Sequence, residues 1–320
     1  MVELRVEVLG ASSLVGECLL PMLCDAGWRV VAFSRHPSPR RGEGVTPYWI
    51  CVAPIWVLPD YFALIEAAGA RRVVVHLAAR VHVMRDAADD PLAEFRCVNV
   101  QGTLHLARQA AAAGVKQFVF ISSVKVNGES TRLGSALTET DAPNPQDAYG
   151  QSKHEAELSL RQLSADTGME VVIIRPPLVY GPGVKANFAA LMRAVQRSWP
   201  LPLGAVHNQR NLVALDNLVD FIVTCITHPQ AANQTFLVSD GQYLSTTELV
   251  RGMAQAAGVP ARLLPVPVWA LQAGASLLGK GDAVQRLCGN LQVDISKARS
   301  LLGWVPPVSV EEGLRRAMAV

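Results

Sequence analysis

The sequence lacks the features that mark several other classes of protein. No apolar run reaches the about 18 residues that a helix needs to span a bilayer, and the nearest is Trp269–Leu278. The first residues show no basic region followed by an apolar stretch, so we expect a cytoplasmic protein without a signal peptide or transmembrane segment. The formal net charge is only +2, and no basic stripe is interleaved with aromatics, which argues against nucleic-acid binding.

Cysteines are few and do not form a motif. The six cysteines are scattered over the 320 residues, without a Cys-x-x-Cys pair or a histidine at ligand spacing. This distribution predicts reduced thiols in the core and no metal site. Because 50% of the residues are hydrophobic, the chain can bury the large core of a compact enzyme.

What the sequence does contain begins with a strand, a tight turn and a helix. The strand Val6–Leu9 is followed by a glycine-bounded turn, and an apolar stripe from Val15 to Leu23, with Cys18, Leu19 and Met22, predicts a helix that Gly27 ends. Such a turn points backbone N–H groups and the positive end of a helix at a pyrophosphate. We therefore expect it to bind a dinucleotide through these residues: Gly10, Ser12, Ser13, Leu14, Val15 and Gly16. Ser13 replaces the middle glycine of the usual fingerprint, and an ordinary βα turn is the alternative.

The end of the second strand bears on the form of the cofactor. The strand Trp28–Phe33 ends at Ser34 and Arg35, where NAD-specific proteins usually carry an acidic residue for the ribose hydroxyls. A hydroxyl followed by a guanidinium suits a 2′-phosphate, which accepts charge-assisted hydrogen bonds. This favours NADP(H) over NAD(H), although Arg35 could instead be a solvated loop residue.

A phenol and an ammonium lie four residues apart at Tyr149 and Lys153, in a segment that reads as an amphipathic helix. At this spacing both side chains share one helix face, and a nearby cation should lower the pKa of the phenol towards neutrality. Tyr149 could then exchange a proton with a carbinol. Ser122 and Ser123 follow the apolar strand Gln117–Ile121, at the edge where open α/β sheets bind ligands.

Further motifs extend the pattern over nearly the whole chain: His76–Ala79, Asn99–Thr103, Arg175–Gly183 and Asp294–Trp304. With them the chain resembles the extended short-chain dehydrogenase/reductase family of nucleotide-sugar epimerases, dehydratases and ketoreductases. The resemblance implies an α/β fold, a Rossmann-type doubly wound parallel sheet with a smaller C-terminal substrate-binding domain. The N-terminal quarter looks like a more divergent branch of the family.

The resemblance also implies roles for individual residues. Ser123, Tyr149 and Lys153 would form the catalytic triad, and Asn99 would support the active-site strand. The cofactor would be bordered by Leu77, Ala78, Ala79, Ile121, Pro176, Leu178 and Val179, as well as by Tyr149 and Lys153. The nucleotide diphosphate or sugar of a UDP-sugar would be contacted by Lys125, Asn187, Arg210 and Arg286, with a solvated lysine as the alternative for Lys125.

The residues after Ser123 separate the reaction types of this family. A dehydratase would carry an Asp-Glu pair there to supply an acid and a base, but this chain has Val124 and Lys125. The NADP(H) interpretation then favours a C4 ketoreductase that acts on a UDP-linked 4-keto-6-deoxy-N-acetylhexosamine in O-antigen synthesis. A UDP-sugar 4-epimerase with tightly bound NAD and a non-catalytic NADP(H)-binding regulator are the alternatives.

Strand–helix alternation predicts the domain boundaries. We expect a Rossmann domain over residues 1–181 and about 212–241, and a substrate-binding domain over 182–211 and 242–320. The apolar stripes of Val100–Ala113 and Ala156–Leu163 could pair into a homodimer through a four-helix bundle, or could simply belong to the core.

Overall fold

The fold is built around a parallel β-sheet. In a computed structural model, which describes residues 4–34, 48–51, 71–81, 90–277 and 281–319, seven strands pair in the order β3-β2-β1-β4-β5-β6-β9, all parallel. They are β1 (Leu4–Leu9), β2 (Arg29–Ser34), β3 (Tyr48–Cys51), β4 (Arg71–His76), β5 (Gln117–Ile121), β6 (Glu170–Arg175) and β9 (Thr235–Leu237). The order reverses between β1 and β4, as in the doubly wound Rossmann arrangement, which confirms the predicted fold class.

Helices cover both faces of this sheet. On one face α1 (Leu14–Asp25) and α6 (Leu215–Thr227) pack in a core with Val6, Val8 and Phe221. On the other face α3 (Thr103–Ala112) and α4 (Ala148–Thr167) enclose a second set of buried side chains. The remaining helices are α2 (Pro91–Arg96), α5 (Ala186–Gln196), α7 (Thr246–Ala256), α8 (Val268–Leu277), α9 (Gly281–Cys288), α10 (Ser296–Leu302) and α11 (Val310–Met318).

A smaller sheet lies outside the main one. It has the order β10-β8-β7, formed by β7 (Leu178–Tyr180), β8 (Arg210–Ala214) and β10 (Tyr243–Leu244). Helices α5, α7 and α11 pack beside it around Tyr180, Phe188 and Met253, a buried cluster that we call the second core. The domain boundaries given above remain a prediction. None of the helices in the described ranges is both long and apolar enough to cross a membrane.

The first strand differs from its sequence pattern. Its alternation of charged and apolar residues indicates a half-exposed strand, but Glu7 is fully buried in the sheet. The Arg72 Nη2 on the neighbouring strand donates to Glu7 Oε1 at 2.8 Å, and Arg5 Nε lies 3.4 Å from the same oxygen. Burial raises the pKa of the Glu7 carboxyl, and Arg72 opposes that shift. The charges on β1 therefore do not mark a solvent-facing side.

The first helix follows the predicted pattern with one exception. Leu19 and Leu23 are fully buried, whereas Met22, which we placed on the same stripe, is 39% exposed. Leu20 is buried in its place, so the buried face is rotated towards that residue. Gly27 has φ of 76°, and its N–H donates to Cys24 O, so it follows the end of the helix as expected.

Candidate active site

The site begins with the first turn of α4. Asp147 precedes the helix in an extended conformation, and its carboxylate accepts a hydrogen bond from Gly150 N at 2.7 Å. This cap satisfies one of the free N–H groups of the first turn. Tyr149 lies in that turn and Lys153 one turn later, so the spacing places both residues along one helix face.

Two adjacent serines at the end of β5 have different environments. Ser122 is buried, and its hydroxyl donates to Glu157 Oε1 at 2.6 Å. Ser123 is partly buried and begins a short 3₁₀ turn, Val124–Val126, where its Oγ accepts a hydrogen bond from Lys125 N at 3.2 Å. Because the Ser122 hydroxyl is buried and bound to Glu157, Ser123 is the serine of the pair that could contact a substrate.

Three contacts bring the start of α4 against the Ser123 turn. The Lys153 Nζ donates to Ile121 O, the last residue of β5, at 2.8 Å. Lys125 Nζ forms an ion pair with Asp147, the cap of α4. A Cβ at Gly150 would lie 2.9 Å from Lys125 O, so only a glycine allows this close approach. The structure therefore places Ser123, Tyr149 and Lys153 on neighbouring segments at the carboxyl edge of the sheet.

The electrostatics of the pair differ from the sequence-based expectation. Burial raises the pKa of the Tyr149 phenol, and Asp147 adds to this shift. Burial lowers the pKa of Lys153 to about 7, against the opposing effect of Glu157. Its ammonium also lies 4.4 Å from the centre of the Phe120 ring. The pKa of the phenol is therefore raised in this structure rather than lowered as the spacing predicts, because burial and the Asp147 carboxylate both disfavour the phenolate.

Asn99 joins the segment after β4 to α4. It is buried in a π-helical turn, Cys97–Gly102, and its amide donates to Arg80 O and to Ser152 Oγ, both at 3.0 Å. Its Oδ1 accepts from Arg80 N at 2.8 Å. The π turn widens the helix by one residue, a distortion often found at functional sites. Asn99 thus links the segment after β4 to α4 between Tyr149 and Lys153, and the support of the active-site strand that the family resemblance implies stays a prediction.

The turn after β1 fits a dinucleotide phosphate. Gly10 has φ of 81°, and a Cβ there would lie 2.7 Å from Ala78 N. A Cβ at Gly16 would lie 2.6 Å from Ala11 O. Ser13 is the N-cap of α1, and its hydroxyl accepts a hydrogen bond from Gly16 N at 3.1 Å. Ser12 is exposed, and Leu14 and Val15 open the helix. The two glycines therefore allow the turn to pack closely against the segment Leu77–Ala78 and against the start of α1.

Other predicted cofactor contacts lie along the same sheet edge. Leu77 N donates to Leu9 O at 2.8 Å, which holds the segment of Leu77, Ala78 and Ala79 beside the glycine turn. Pro176 O accepts from Val124 N at 3.0 Å, and Leu178 is largely exposed while Val179 is partly buried. Their contacts with a cofactor remain predictions.

The predicted determinants of cofactor form are only partly described. Ser34 is buried at the end of β2, next to the glycine turn, whose Gly10 and Ala11 N–H groups donate to Phe33 O. Arg35 lies outside the described residues. The expected contact between Arg35 and a 2′-phosphate therefore stays a prediction.

The four predicted substrate residues have different surroundings. Lys125 Nζ is paired with Asp147 and lies 2.7 Å from Glu129 Oε1. Arg210 opens β8, its Nη1 donates to Gly289 O at 3.0 Å, and burial lowers its pKa against the effect of Glu129. The Glu129 carboxylate thus interacts with both cations, as an ion pair with Lys125 and through an electrostatic attraction to Arg210. Asn187 on α5 and Arg286 on α9 are exposed.

A buried network next to Ser122 was not predicted. The Arg175 Nε and Nη2 donate to the two carboxylate oxygens of Glu157 at 2.8 and 2.5 Å, and Arg175 Nη1 donates to Asn127 Oδ1 at 2.9 Å. Glu157 also accepts the Ser122 hydroxyl, so the network ties β5, β6 and α4 together. Glu157 lies one turn after Lys153, and that spacing was the sequence signal that could have indicated it.

Comparison with known proteins decides the family. The model of the NAD dependent epimerase/dehydratase family matches residues 6–239. The chain belongs to this family. Like other members it is an NAD(P)-dependent enzyme, and the non-catalytic alternative has no support.

Individual relatives agree with this assignment. The chain is 56% identical over 245 residues to a UDP-glucose 4-epimerase of Vibrio cholerae, covering 76% of this chain and 75% of the relative. It is 28% identical over 329 residues to an N-acetyl-alpha-D-glucosaminyl-diphospho-ditrans,octacis-undecaprenol 4-epimerase of Escherichia coli O157:H7, covering 98% and 94%. In fold it resembles a UDP-glucose 4-epimerase of Thermotoga maritima, with a TM-score of 0.76, 23% identity and coverage of 99% and 98%.

Proposed function

We propose that this protein is a UDP-sugar 4-epimerase that uses NAD. The observation that carries the proposal is the 56% identity to the Vibrio cholerae UDP-glucose 4-epimerase, together with a Ser-Tyr-Lys arrangement at the sheet edge. The C4 ketoreductase that the sequence favoured has weaker support. It depended on NADP(H), and the relatives support NAD(P) in general rather than that preference.

The described residues fit the chemistry of inversion at a carbinol. The glycine turn and the segment Leu77–Ala79 would hold NAD, which would supply reversible hydride chemistry at C4 of the sugar. Tyr149 would exchange the proton of the C4 hydroxyl, since it lies in the first turn of α4, which packs against the Ser123 turn at Gly150. Ser123 would donate a hydrogen bond to the same oxygen. Lys153, with its pKa lowered to about 7 by burial, would hold or release a proton near neutrality.

The residues that would bind the substrate diphosphate are proposed from their positive charge. Arg210 would contact the diphosphate of the UDP-sugar, because a guanidinium matches phosphate oxygens with two parallel hydrogen bonds. Lys125, Asn187 and Arg286 are further candidates. The pairing of Lys125 with Asp147 and Glu129 means that a substrate contact would have to compete with two carboxylates. We also propose that the protein forms a homodimer through α3 and α4, and that it acts in polysaccharide synthesis.

A direct assay separates the epimerase from the ketoreductase. Purified protein is incubated with UDP-glucose or UDP-N-acetylglucosamine without added cofactor, and the sugar nucleotides are separated by chromatography. Appearance of the C4 epimer supports the proposal. Oxidation of NADPH that depends on a 4-keto sugar nucleotide, without any epimer formation, would contradict it and favour the ketoreductase.

The role of Tyr149 has its own test. Tyr149→Phe removes the hydroxyl but keeps the ring, which packs against Phe95 at 6.1 Å between centroids. We expect the fold and cofactor affinity to be kept and the turnover to fall by about 10²- to 10⁴-fold, the usual contribution of a general acid or base. A variant that kept more than about a third of the parent rate would show that Tyr149 does not exchange the proton.

A further inference from the structure

Helix α8 carries no charged side chain and is mostly apolar, yet it lies mostly in solvent. Residues 268–277 contain no charged side chain, and Gln272 and Ser276 are their only polar ones. A helix with this composition is normally buried on all sides. Here only Ala275 is buried, while Trp269 is 72% exposed and Leu277 is 89% exposed. The inner side chains Val268 and Leu271 pack on the second core, so the outer side lacks a cover within the described chain.

Neighbouring segments extend this exposed surface. Leu201 N donates to Arg262 O at 2.9 Å, and Leu264 N donates to Leu201 O at 2.8 Å, which holds the segment after α5 beside the segment before α8. Large apolar side chains are exposed in both segments, Trp199 in the first and Leu264 in the second. We call the surface of Trp199, Leu264, Trp269 and Leu277 the α8 face.

The described charged side chains beside Trp199 and Leu264 have one sign. Arg193, Arg197 and Arg262 are exposed beside it, and within the described part of the chain none of them is paired with a carboxylate. Arg197 lies over the ring of Trp199 at 5.6 Å, so cation and aromatic ring share one patch. Residues 171–215 and 249–281 contain no Asp or Glu at all, although the whole chain has a net charge of only +2.

We propose that the α8 face docks on the surface of an anionic phospholipid bilayer. Exposed Trp and Leu side chains would enter the interface between headgroups and acyl chains, and the arginines around them would contact lipid phosphates. A second copy of the chain fits this surface poorly. A symmetric contact would set the same arginines against each other without a carboxylate to compensate them.

Vesicle binding tests the proposal independently of the catalytic assignment. The full-length protein is sedimented with vesicles of phosphatidylcholine alone, and of phosphatidylcholine mixed with phosphatidylglycerol. We expect binding to the mixed vesicles only, with a blue shift of tryptophan fluorescence. Equal binding to both vesicles, or no binding to either, would overturn the proposal, whatever the protein's activity.

Paired variants locate the surface. Trp269→Ser with Leu277→Ser should weaken binding by about tenfold or more, since both apolar anchors are lost. Arg193→Glu with Arg197→Glu should weaken it by roughly thirtyfold at low salt. The matched controls are Val305→Ser, which changes an exposed apolar residue on the chain after α10, and Arg299→Glu, which reverses an exposed charge on α10.

The same variants distinguish a membrane from a second copy. Each protein is run by sedimentation velocity without vesicles. If Trp269→Ser with Leu277→Ser converted a dimer into a monomer while vesicle binding stayed at the parent level, the α8 face would be a protein interface and the proposal would be wrong. An unchanged oligomeric state with lost vesicle binding supports it.

Discussion

The ion pair between Glu157 and Arg175 provides the sharpest test of how the site is held together. The Glu157 side chain is fully buried, and it accepts hydrogen bonds from Arg175 at two oxygens and from Ser122. Glu157→Gln keeps the size of the side chain, so it leaves no cavity. It removes the negative charge and leaves the buried guanidinium of Arg175 without a counter-charge.

The expected cost follows from burial. Removing one partner of a buried ion pair typically costs about 3–5 kcal/mol, because the other charge remains desolvated. An exposed pair contributes only about 0–1 kcal/mol. The same helix offers a matched control in Glu155, which accepts three hydrogen bonds from Arg96 at 2.6, 2.8 and 3.2 Å but lies at the surface. Glu155→Gln should therefore cost several-fold less than Glu157→Gln.

Urea unfolding followed by far-UV circular dichroism measures both variants. The double variant Glu157→Met with Arg175→Met removes both charges, and it should be more stable than Glu157→Gln because no unpaired charge remains. It should not regain full stability, since Ser122 and Asn127 lose their partners. Equal free energies of unfolding for Glu155→Gln and Glu157→Gln would refute this account of the network.

Two further predictions concern the glycine turn and Lys153. Gly10→Ala should destabilise the protein more than Gly27→Ala and should abolish NAD binding. Both glycines have positive φ, but only a Cβ at Gly10 would meet backbone atoms, at 2.7 Å. Urea unfolding and NAD titration of the two variants test this, and equal losses in the free energy of unfolding would contradict the steric argument. Lys153 has a pKa of about 7 in the fold and 10.5 in the unfolded chain. Between these pH values the unfolded state binds more protons, so the free energy of unfolding should rise with pH by up to about 1.4 kcal/mol per pH unit. Lys153→Met should flatten that rise between pH 7 and 9, and an unchanged slope would show that Lys153 does not cause it.

The parts of the fold that the sequence predicts are those with local signals. The glycines around the first turn, the apolar strand before Ser122 and the four-residue spacing of Tyr149 and Lys153 each depend on neighbours in the chain. Their elements appear in the structure at the expected positions as β1, β5 and α4. Regular periodicity and turn chemistry are sufficient for such elements.

The features that escaped prediction depend on distant partners. Glu7 reads as a surface residue until Arg72, 65 positions away, is brought beside it on the adjacent strand. Glu157 and Arg175 likewise become a pair only when α4 packs on β6. The π turn at Asn99 has no periodic signature, because it adds one residue to an otherwise ordinary helix. Contacts of this kind follow from the tertiary fold rather than from local pattern.

The pair of Tyr149 and Lys153 shows where spacing stops being informative. Four-residue spacing predicts that the two side chains share a face, but the sign of a pKa shift depends on how strongly the site is desolvated. In this structure desolvation dominates both groups: it raises the pKa of Tyr149 and lowers that of Lys153 to about 7. Near neutrality the phenol therefore keeps its proton and suits donation to a carbonyl oxygen. Abstraction of a hydroxyl proton requires a cation near Tyr149 that offsets its burial, and Lys153 can supply this only while it is protonated. The rate of the oxidising half of an epimerisation should for this reason depend on the protonation state of Lys153 more strongly than the reducing half does.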